Sequence, residues 1–415
     1  MITRKITPEE ADGAMQVFCI AFEYVDRSQS DDEIQPGSLE EFLMWERQPG
    51  WPPCDRYATF SNEGEMIAVT TVWIMDARFD GHIVKMGGIG GVACLPHYRK
   101  IGATAAISKK MLEDMYTENV SFSYLFPFSS AYYARHGYAC CGTEELWTLD
   151  LRALRSVEDD GGHMTLFEGK EEDFNGIKEV YEKYSENFNM SVIRSDVKYK
   201  QFHKKAPHKD GYYTYLYRNS KNKPAGVMAF SKKHDDSDFV MDCDCFYFAD
   251  RTALLSMLSF AKGFLPHYHQ VRFSLPGHID IHDLVPEWYV YDCRRDLRPL
   301  GMGRVVNVRS VLGMARYRGG GRITLRVNDP VIPQNEGTYT VDYAYGKAVS
   351  VTRDDCATPD ATLSINAFSA LISGAGESSD TVDFTDFREG MAIHNPPAPF
   401  KDIFYQKPLF IMEVF

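Results

Sequence analysis

The sequence predicts a chain of the α/β (α+β) class, built as two successive copies of one mixed-sheet unit followed by a third, smaller α/β unit. Three observations predict this. The chain has 415 residues, too many for one compact core and suited to two or three domains. An order of helix, antiparallel strands, helix and strand runs through residues 1–151 and recurs, diverged, through 152–300. The remainder, 301–415, has a different texture, with a hairpin, a Pro-rich spacer and an apolar end.

The first unit opens on Thr7-Pro8-Glu9-Glu10. Thr7 is suited to be an N-cap, Pro8 to the first helical position, and Glu10 completes a capping box. Ala11, Met15, Phe18 and Phe22 then share one helical face. Strands are expected over 56–60, 66–79 and 82–95, the last two joined by Asp80-Gly81, a two-residue hairpin signal. A helix over 102–116 buries Ala103, Ile107, Met111 and Met115. A strand over 121–128 alternates Phe122, Tyr124, Phe126 and Phe128; a short helix carries Tyr132 and Tyr133 and stops at Gly137; a last strand closes the unit at Leu151.

Asp159-Asp160-Gly161-Gly162 reads as a linker. The second unit then has a helix over 171–184, strands over 212–217, 225–231 and 239–248, a helix over 253–263 and a strand over 270–275. In the third unit a helix over 307–314 precedes a strand at 323–327, a hairpin turning at Gly346 and a short strand at 361–365. Asn366 is the expected N-cap of a helix over 367–372. Residues 395–399, Asn-Pro-Pro-Ala-Pro, form a rigid spacer. The segment 408–415 is apolar where a dangling tail is polar, so it is expected to be buried.

A formal net charge of -13 repels nucleic acid and anionic membrane and attracts cations. Solubility alone is the plainer account of that charge. A transmembrane helix needs a run of about 18 apolar residues, and the sequence has none. The N-terminus does not read as a signal peptide, so a cytoplasmic protein is expected. The nine cysteines show no framework spacing: Cys140 and Cys141 are adjacent, and Cys243 and Cys245 alternate. Free thiols in a reducing compartment, and no metal, are expected.

The segment that carries chemistry is Gly91-Val92-Ala93-Cys94-Leu95-Pro96-His97-Tyr98-Arg99-Lys100-Ile101-Gly102-Ala103-Thr104. It ends a strand and opens a helix. A helix start offers N–H groups and a positive dipole end, and a small residue there lets phosphate come close. Arg99 and Lys100 add charge, so a pyrophosphate fits. Gly87-Gly88-Ile89-Gly90-Gly91 lies inside a strand and opens no helix, which excludes a dinucleotide fingerprint. No Gly-Lys-Ser/Thr of a P-loop is present.

Val92-Ala93-Cys94-Leu95-Pro96 with Arg99-Lys100-Ile101-Gly102 resembles the coenzyme A loop of the GNAT N-acetyltransferases. Tyr132-Tyr133-Ala134-Arg135-His136-Gly137-Tyr138 resembles a segment of the Eis (enhanced intracellular survival) acetyltransferases within that group. The ending Glu413-Val414-Phe415 matches their habit of finishing on an aromatic residue. The resemblance spans the whole chain and implies tandem GNAT-like domains and a sterol carrier protein-like domain.

It further implies acetyl-CoA as cosubstrate. Val92, Ala93 and Cys94 would present strand backbone to the acetyl and pantetheine groups. Lys100, Ile101, Gly102, Ala103, Thr104 and Ala105 would cradle the pyrophosphate, and Phe128 and Ser129 would complete the cleft. It implies Tyr133 as general acid and the Phe415 carboxylate as general base. Aminoglycosides or lysine side chains would be the acceptors, and a homohexamer the assembly. Ala134 and His136 depart from the pattern, and the second could change polarity near the pocket.

The chemistry agrees with these roles. A lysine-like amine is protonated at neutral pH and must lose a proton before it attacks a thioester. A carboxylate can take it, a tyrosine can protonate the departing thiolate, and strand N–H groups can hold an oxyanion. Glu23, Asp26 and Glu413 are candidates to hold a cationic acceptor, although an ordinary solvated loop also accounts for the first two. Tyr133 could instead be a core tyrosine and Phe415 a core plug. In the second unit the corresponding turn is Phe248-Ala249-Asp250-Arg251-Thr252. It has no glycine, and Asp250 would repel phosphate, so that unit is expected to be scaffold. A lipid carrier and a non-catalytic acyl-CoA-binding protein are the other classes the sequence permits.

Overall fold

The computed structural model describes residues 1–24, 48–202, 207–235, 238–277, 279–374, 389–404 and 406–413. The first unit contains β1 (Ile2–Lys5), α1 (Ala11–Phe22), β2 (Cys54–Phe60), β3 (Met66–Phe79), β4 (His82–Cys94), α2 (Ala103–Thr117), β5 (Phe122–Leu125), α3 (Ser130–Ala134) and β6 (Thr143–Asp150). The second contains β7 (His163–Leu166), α4 (Glu171–Ser185), β8 (Tyr212–Arg218), β9 (Pro224–Asp235), β10 (Asp238–Phe248), α5 (Arg251–Lys262), β11 (Gln270–Pro276) and β12 (Arg294–Pro299). The third contains β13 (Met302–Val305), α6 (Val308–Met314), β14 (Gly321–Asn328), β15 (Gly337–Ala344), β16 (Lys347–Arg353), β17 (Ala361–Ser364), α7 (Ile365–Ser373) and β18 (Met391–Ile393).

Local chemistry places most of these. The Thr7–Glu10 capping box forms and leads through one 3₁₀ turn into α1. Asp80 and Gly81 take left-handed φ values of 49° and 88°, the geometry a tight hairpin needs, and join β3 to β4 in register from Phe79↔His82 inward. α2 buries Ala103, Ile107, Met111 and Met115.

Among the described residues the strands form three sheets, in the orders β1-β2-β3-β4-β5-β13, β12-β6-β11-β10-β9-β8-β7 and β16-β15-β14-β17-β18. All three are mixed: β4–β5, β10–β11 and β14–β17 run parallel. Two strands cross between units. β6, expected to close the first unit, crosses into the second sheet between β11 and β12. There Trp147 and Leu149 are fully buried. Its place beside β5 is taken by β13, antiparallel, from Met302↔Leu125 to Val305↔Phe122. An alternating strand pattern fixes which face is buried and says nothing about which neighbour is chosen.

The expected strand over 121–128 is also shorter. β5 stops at Leu125, with all four of its residues buried. It is an inner strand covered on both faces, so alternation is not the pattern it follows. Phe126 and Phe128 lie beyond it, exposed.

β13 brings Arg304 beneath α3. Arg304 is fully buried and donates twice to Asp329, at 2.8 and 2.7 Å, and once to the His136 carbonyl at 2.7 Å. Asp329 also accepts the N–H groups of Val331 and Ile332 and the Asn335 amide. The three units meet again at Asp80. Its carboxylate accepts from Asn189 Nδ2 at 2.9 Å, from the Arg316 N–H at 2.7 Å and from Lys407 Nζ.

A buried ion pair broken on one side leaves an uncompensated charge. Asp329→Ala is therefore expected to lower stability by about 3–5 kcal/mol. The pair replacement Arg304→Met with Asp329→Leu should recover part of that loss. Denaturant titration of the three variants checks this; Asp329→Ala at wild-type stability would contradict it.

Candidate active site

β4 and β5 pair only from Met86↔Phe122 to Ile89↔Leu125. Past that point β4 runs on through Gly90–Cys94, hydrogen-bonded to β3 alone. The register with β3 slips between Val69 and Thr71, where Gly91 takes a left-handed φ of 60°. Such a bulge bends a strand and leaves backbone unpaired. The two parallel strands therefore part, and the Gly90–Cys94 edge faces an opening. Val92 and Cys94 are half-buried and Ala93 is buried.

The chain leaves β4 through one 3₁₀ turn, Pro96–Tyr98, and enters α2 through Lys100 and Gly102, with left-handed φ values of 69° and 88°. A Cβ at Gly102 would meet nothing within 4 Å, so backbone conformation rather than space calls for glycine there. No side chain caps α2, and its first turn carries no acid. The N–H groups of Ala103, Thr104 and Ala105 are left for an anion, while Lys100, Ile101 and Gly102 are exposed beside them. The corresponding helix of the second unit differs: the Asp250 carboxylate accepts the Ala253 N–H at 2.9 Å, so a negative charge already occupies that helix start.

α3 forms the other wall. Ser129 caps it, its Oγ accepting the Tyr132 N–H at 3.3 Å. Tyr132 Oη donates to Thr104 Oγ1 at 2.8 Å and ties α3 to the start of α2. Tyr133 is buried at 4 % exposure in the cluster that holds Ile89, Ala103 and Leu125, with Val92 and Cys94 packed against it. Its ring meets those of Phe128, Tyr132 and Tyr138 edge-on, at 5.3, 5.0 and 6.0 Å between centroids. Burial, then the neighbouring Tyr132 and Tyr138, pushes the Tyr133 hydroxyl well above the ordinary tyrosine value. It is a proton carrier at neutral pH. Phe128 is 72 % exposed and forms the rim, not the floor.

The C-terminal tail is buried as expected. Leu409, Phe410 and Ile411 join the main core. Leu409 bridges Asn189 in parallel, and the segment after Asn189 runs antiparallel to β3, with Met190 and Ile193 donating to the carbonyls of Arg78 and Asp76. The tail thus advances along β3 from Asp80 toward Trp73. It reaches Glu413, whose Oε1 accepts from Arg194 Nε at 2.6 Å. Among the described residues the buried Glu413 Oε2 has no hydrogen-bond partner. Arg194 stacks over Tyr181 at 4.0 Å, and Lys198 sits 4.1 Å from Trp51. Phe415 and Asp26 lie outside the described residues. Glu23 is exposed at the left-handed end of α1, and no described contact brings it to the cleft. Among the described residues no group of three His, Cys, Asp or Glu is placed to hold a metal. No described helix is long and apolar enough to cross a membrane.

Sequence reasoning missed the groups that hold α3 from behind. Ser364, not Asn366, caps α7, accepting the Ala367 N–H at 3.2 Å. Asn366 instead donates to the carbonyls of Ala134 and Tyr138, both at 2.8 Å. Gly137, read as a helix stop, takes φ 88°, and a Cβ there would lie 2.0 Å from Arg304 Nη1. That close approach was the one signal available.

Residues 3–141 match the acetyltransferase (GNAT) domain and residues 308–394 the sterol carrier protein domain. No protein of curated function matches the chain. Several solved structures share its whole architecture. One is a conserved protein of unknown function from Enterococcus faecalis, described as a probable N-acyltransferase (20% identity, TM-score 0.81, 100% of this chain and 99% of that one). Another is a GCN5-related N-acetyltransferase from Anabaena variabilis (16%, 0.81, 100% of both). A third is Eis1 from Mycobacterium abscessus (16%, 0.76, 100% of both). The match over residues 3–141 makes the chain an acetyltransferase of the acyl-CoA-dependent kind.

Tyrosines whose folded pKa is raised, Tyr133 among them, hold protons that the unfolded chain releases above about pH 10. The folded state keeps more protons there, so stability falls as pH rises, by up to about 1.4 kcal/mol per pH unit for each such group. Below pH 10 this term is constant. Thermal unfolding of wild type and Tyr133→Phe from pH 8 to 11 should show a shallower alkaline decline in the variant; identical slopes would refute the placement of this hydroxyl.

Proposed function

We propose that the protein transfers the acetyl group of acetyl-CoA to an amine of a multiply cationic acceptor, an aminoglycoside or a lysine side chain. Tyr133 serves as general acid and the Phe415 carboxylate as general base. The observation that carries the reading is the parting of β4 and β5 opposite an uncapped α2, with a buried, protonated tyrosine on the third side.

Acetyl-CoA supplies an activated acyl carbon on a thiol leaving group. The N–H groups at the start of α2 would bind its pyrophosphate, with Lys100 adding charge. The Gly90–Cys94 edge would align the pantetheine arm as a further strand would, and its N–H groups would stabilise negative charge on the carbonyl oxygen. The base takes the proton the amine must lose, and Tyr133 gives one to the departing thiolate. The buried advance of residues 406–413 along β3 supports the terminal carboxylate as that base. Trp73, toward which the tail points, pairs with Gly88, one residue before β4 and β5 part.

Support for a cationic acceptor comes from the net charge of -13; Glu413, a candidate to hold it, is buried and already paired with Arg194. The likeness to Eis1 and the other solved structures supports the same architecture, with the second unit as scaffold. A cytoplasmic homo-oligomer, a hexamer by resemblance, completes the reading, and light scattering tests that assembly.

Tyr133→Phe is expected to lower kcat by about 100-fold or more, with little change in acetyl-CoA affinity. It is measured by thiol release across a panel of amines. Lengthening the chain by two residues past Phe415 should abolish turnover while acetyl-CoA still binds. Full activity in the lengthened chain would remove the terminal carboxylate from the mechanism.

A further inference from the structure

We propose that the sterol carrier-like unit positions the proton donor, with Asn366 and Arg304 as positioning residues for Tyr133. This rests on the reading of Tyr133 as general acid.

α3 has five residues. One turn of helix is too short to hold itself. The Tyr132 and Tyr133 carbonyls accept from N–H groups of the turn that follows, and the carbonyls at and beyond the helix end are held from another unit. The carbonyls of Ala134, His136 and Tyr138 accept from Asn366, Arg304 and Asn366 again, at 2.8, 2.7 and 2.8 Å. Alternate carbonyls after Tyr133 are therefore held by two side chains of the third unit.

Both side chains are themselves fixed. Arg304 is gripped by Asp329 and lies under Gly137, with no room for a Cβ between them. Asn366 is the second residue of α7, whose N-cap bond is supplied by Ser364. Its amide is thus left to face α3 with two N–H donors toward two carbonyls. Ile365, its neighbour, lies within 2.8 Å of where a Gly137 Cβ would be. Among the described residues, neither side chain hydrogen-bonds to the Gly90–Cys94 backbone of β4. The pair should therefore govern the donor's position rather than the cofactor's affinity.

Asn366→Asp tests this, because it keeps the shape and turns two donors into acceptors facing acceptors. Asn366→Ala removes the bonds without repulsion and serves if the first variant folds poorly. Full-length Asn366→Asp should lower kcat about 10-fold or more, since sub-ångström placement governs such steps. The KM for acetyl-CoA should stay within about threefold, and Asn366→Ala should fall between it and wild type. The effect should vanish in the Tyr133→Phe background, because a donor that is absent cannot be misplaced. Wild-type kcat in both Asn366 variants, or a loss undiminished on top of Tyr133→Phe, would overturn the positioning role. Wild-type kcat in Tyr133→Phe alone would overturn the general-acid reading, and this proposal with it.

Discussion

The buried pair of Arg304 and Asp329 is the contact on which the arrangement depends. Two full charges taken out of water cost several kcal/mol each, a cost reduced as their donors and acceptors find partners; Arg304 Nε finds none among the described residues. Here the aspartate accepts from the guanidinium, two backbone N–H groups and the Asn335 amide. Asn335 in turn donates to the Val306 carbonyl and accepts the Val308 N–H. The pair holds β13 in the first sheet and fastens the third unit to it. The turn after Tyr133 rests on the same guanidinium. A hydrophobic replacement could match the pair for stability. It could not supply a directed bond to the His136 carbonyl.

Much of this was legible where the determinant is local. The capping box at Thr7, the Asp80-Gly81 hairpin and the buried stripe of α2 all follow from short-range chemistry and stand where the sequence puts them. At the helix start of the second unit the sequence offered the charge of Asp250, and the structure adds its role as the cap. What the sequence hid was partnership at a distance. β6 and β13 read as ordinary strands, and nothing in either names its neighbour. Asn366 was a sound N-cap by type, but Ser364, two residues earlier, takes that place and frees the amide for another unit. Glu413 reads as a candidate to hold a cationic acceptor, and the structure has one of its oxygens bound to Arg194, 219 residues away. Phe126 and Phe128 extended an alternating pattern beyond the strand, because alternation also occurs by chance in short aromatic runs.

The tail and the tyrosine turn share a logic. Each is a short segment unable to hold a conformation alone, and each is held by groups from other units. Asp80, which accepts from Lys407, and Asn189, whose backbone bonds Pro408 and Phe410, anchor the base of the tail. Asn366 and Arg304 anchor the tyrosine turn. The cleft of the first sheet is therefore finished by residues that come more than 160 positions later in the chain. The second unit, with its own helix start already occupied by Asp250, contributes Asn189 and Arg194 as supports for the tail.

The crossing of β6 and β13 between units has a consequence for the order in which the molecule is made. As the chain leaves the ribosome, β5 emerges roughly 180 residues before the strand that covers its edge, a delay on the order of ten to thirty seconds at ordinary elongation rates. During that interval the nascent first sheet presents Phe122–Leu125 as an open, apolar border, the kind that recruits other chains. Translation speed and chaperone supply thus bear on the yield of this protein more heavily than its final stability would indicate.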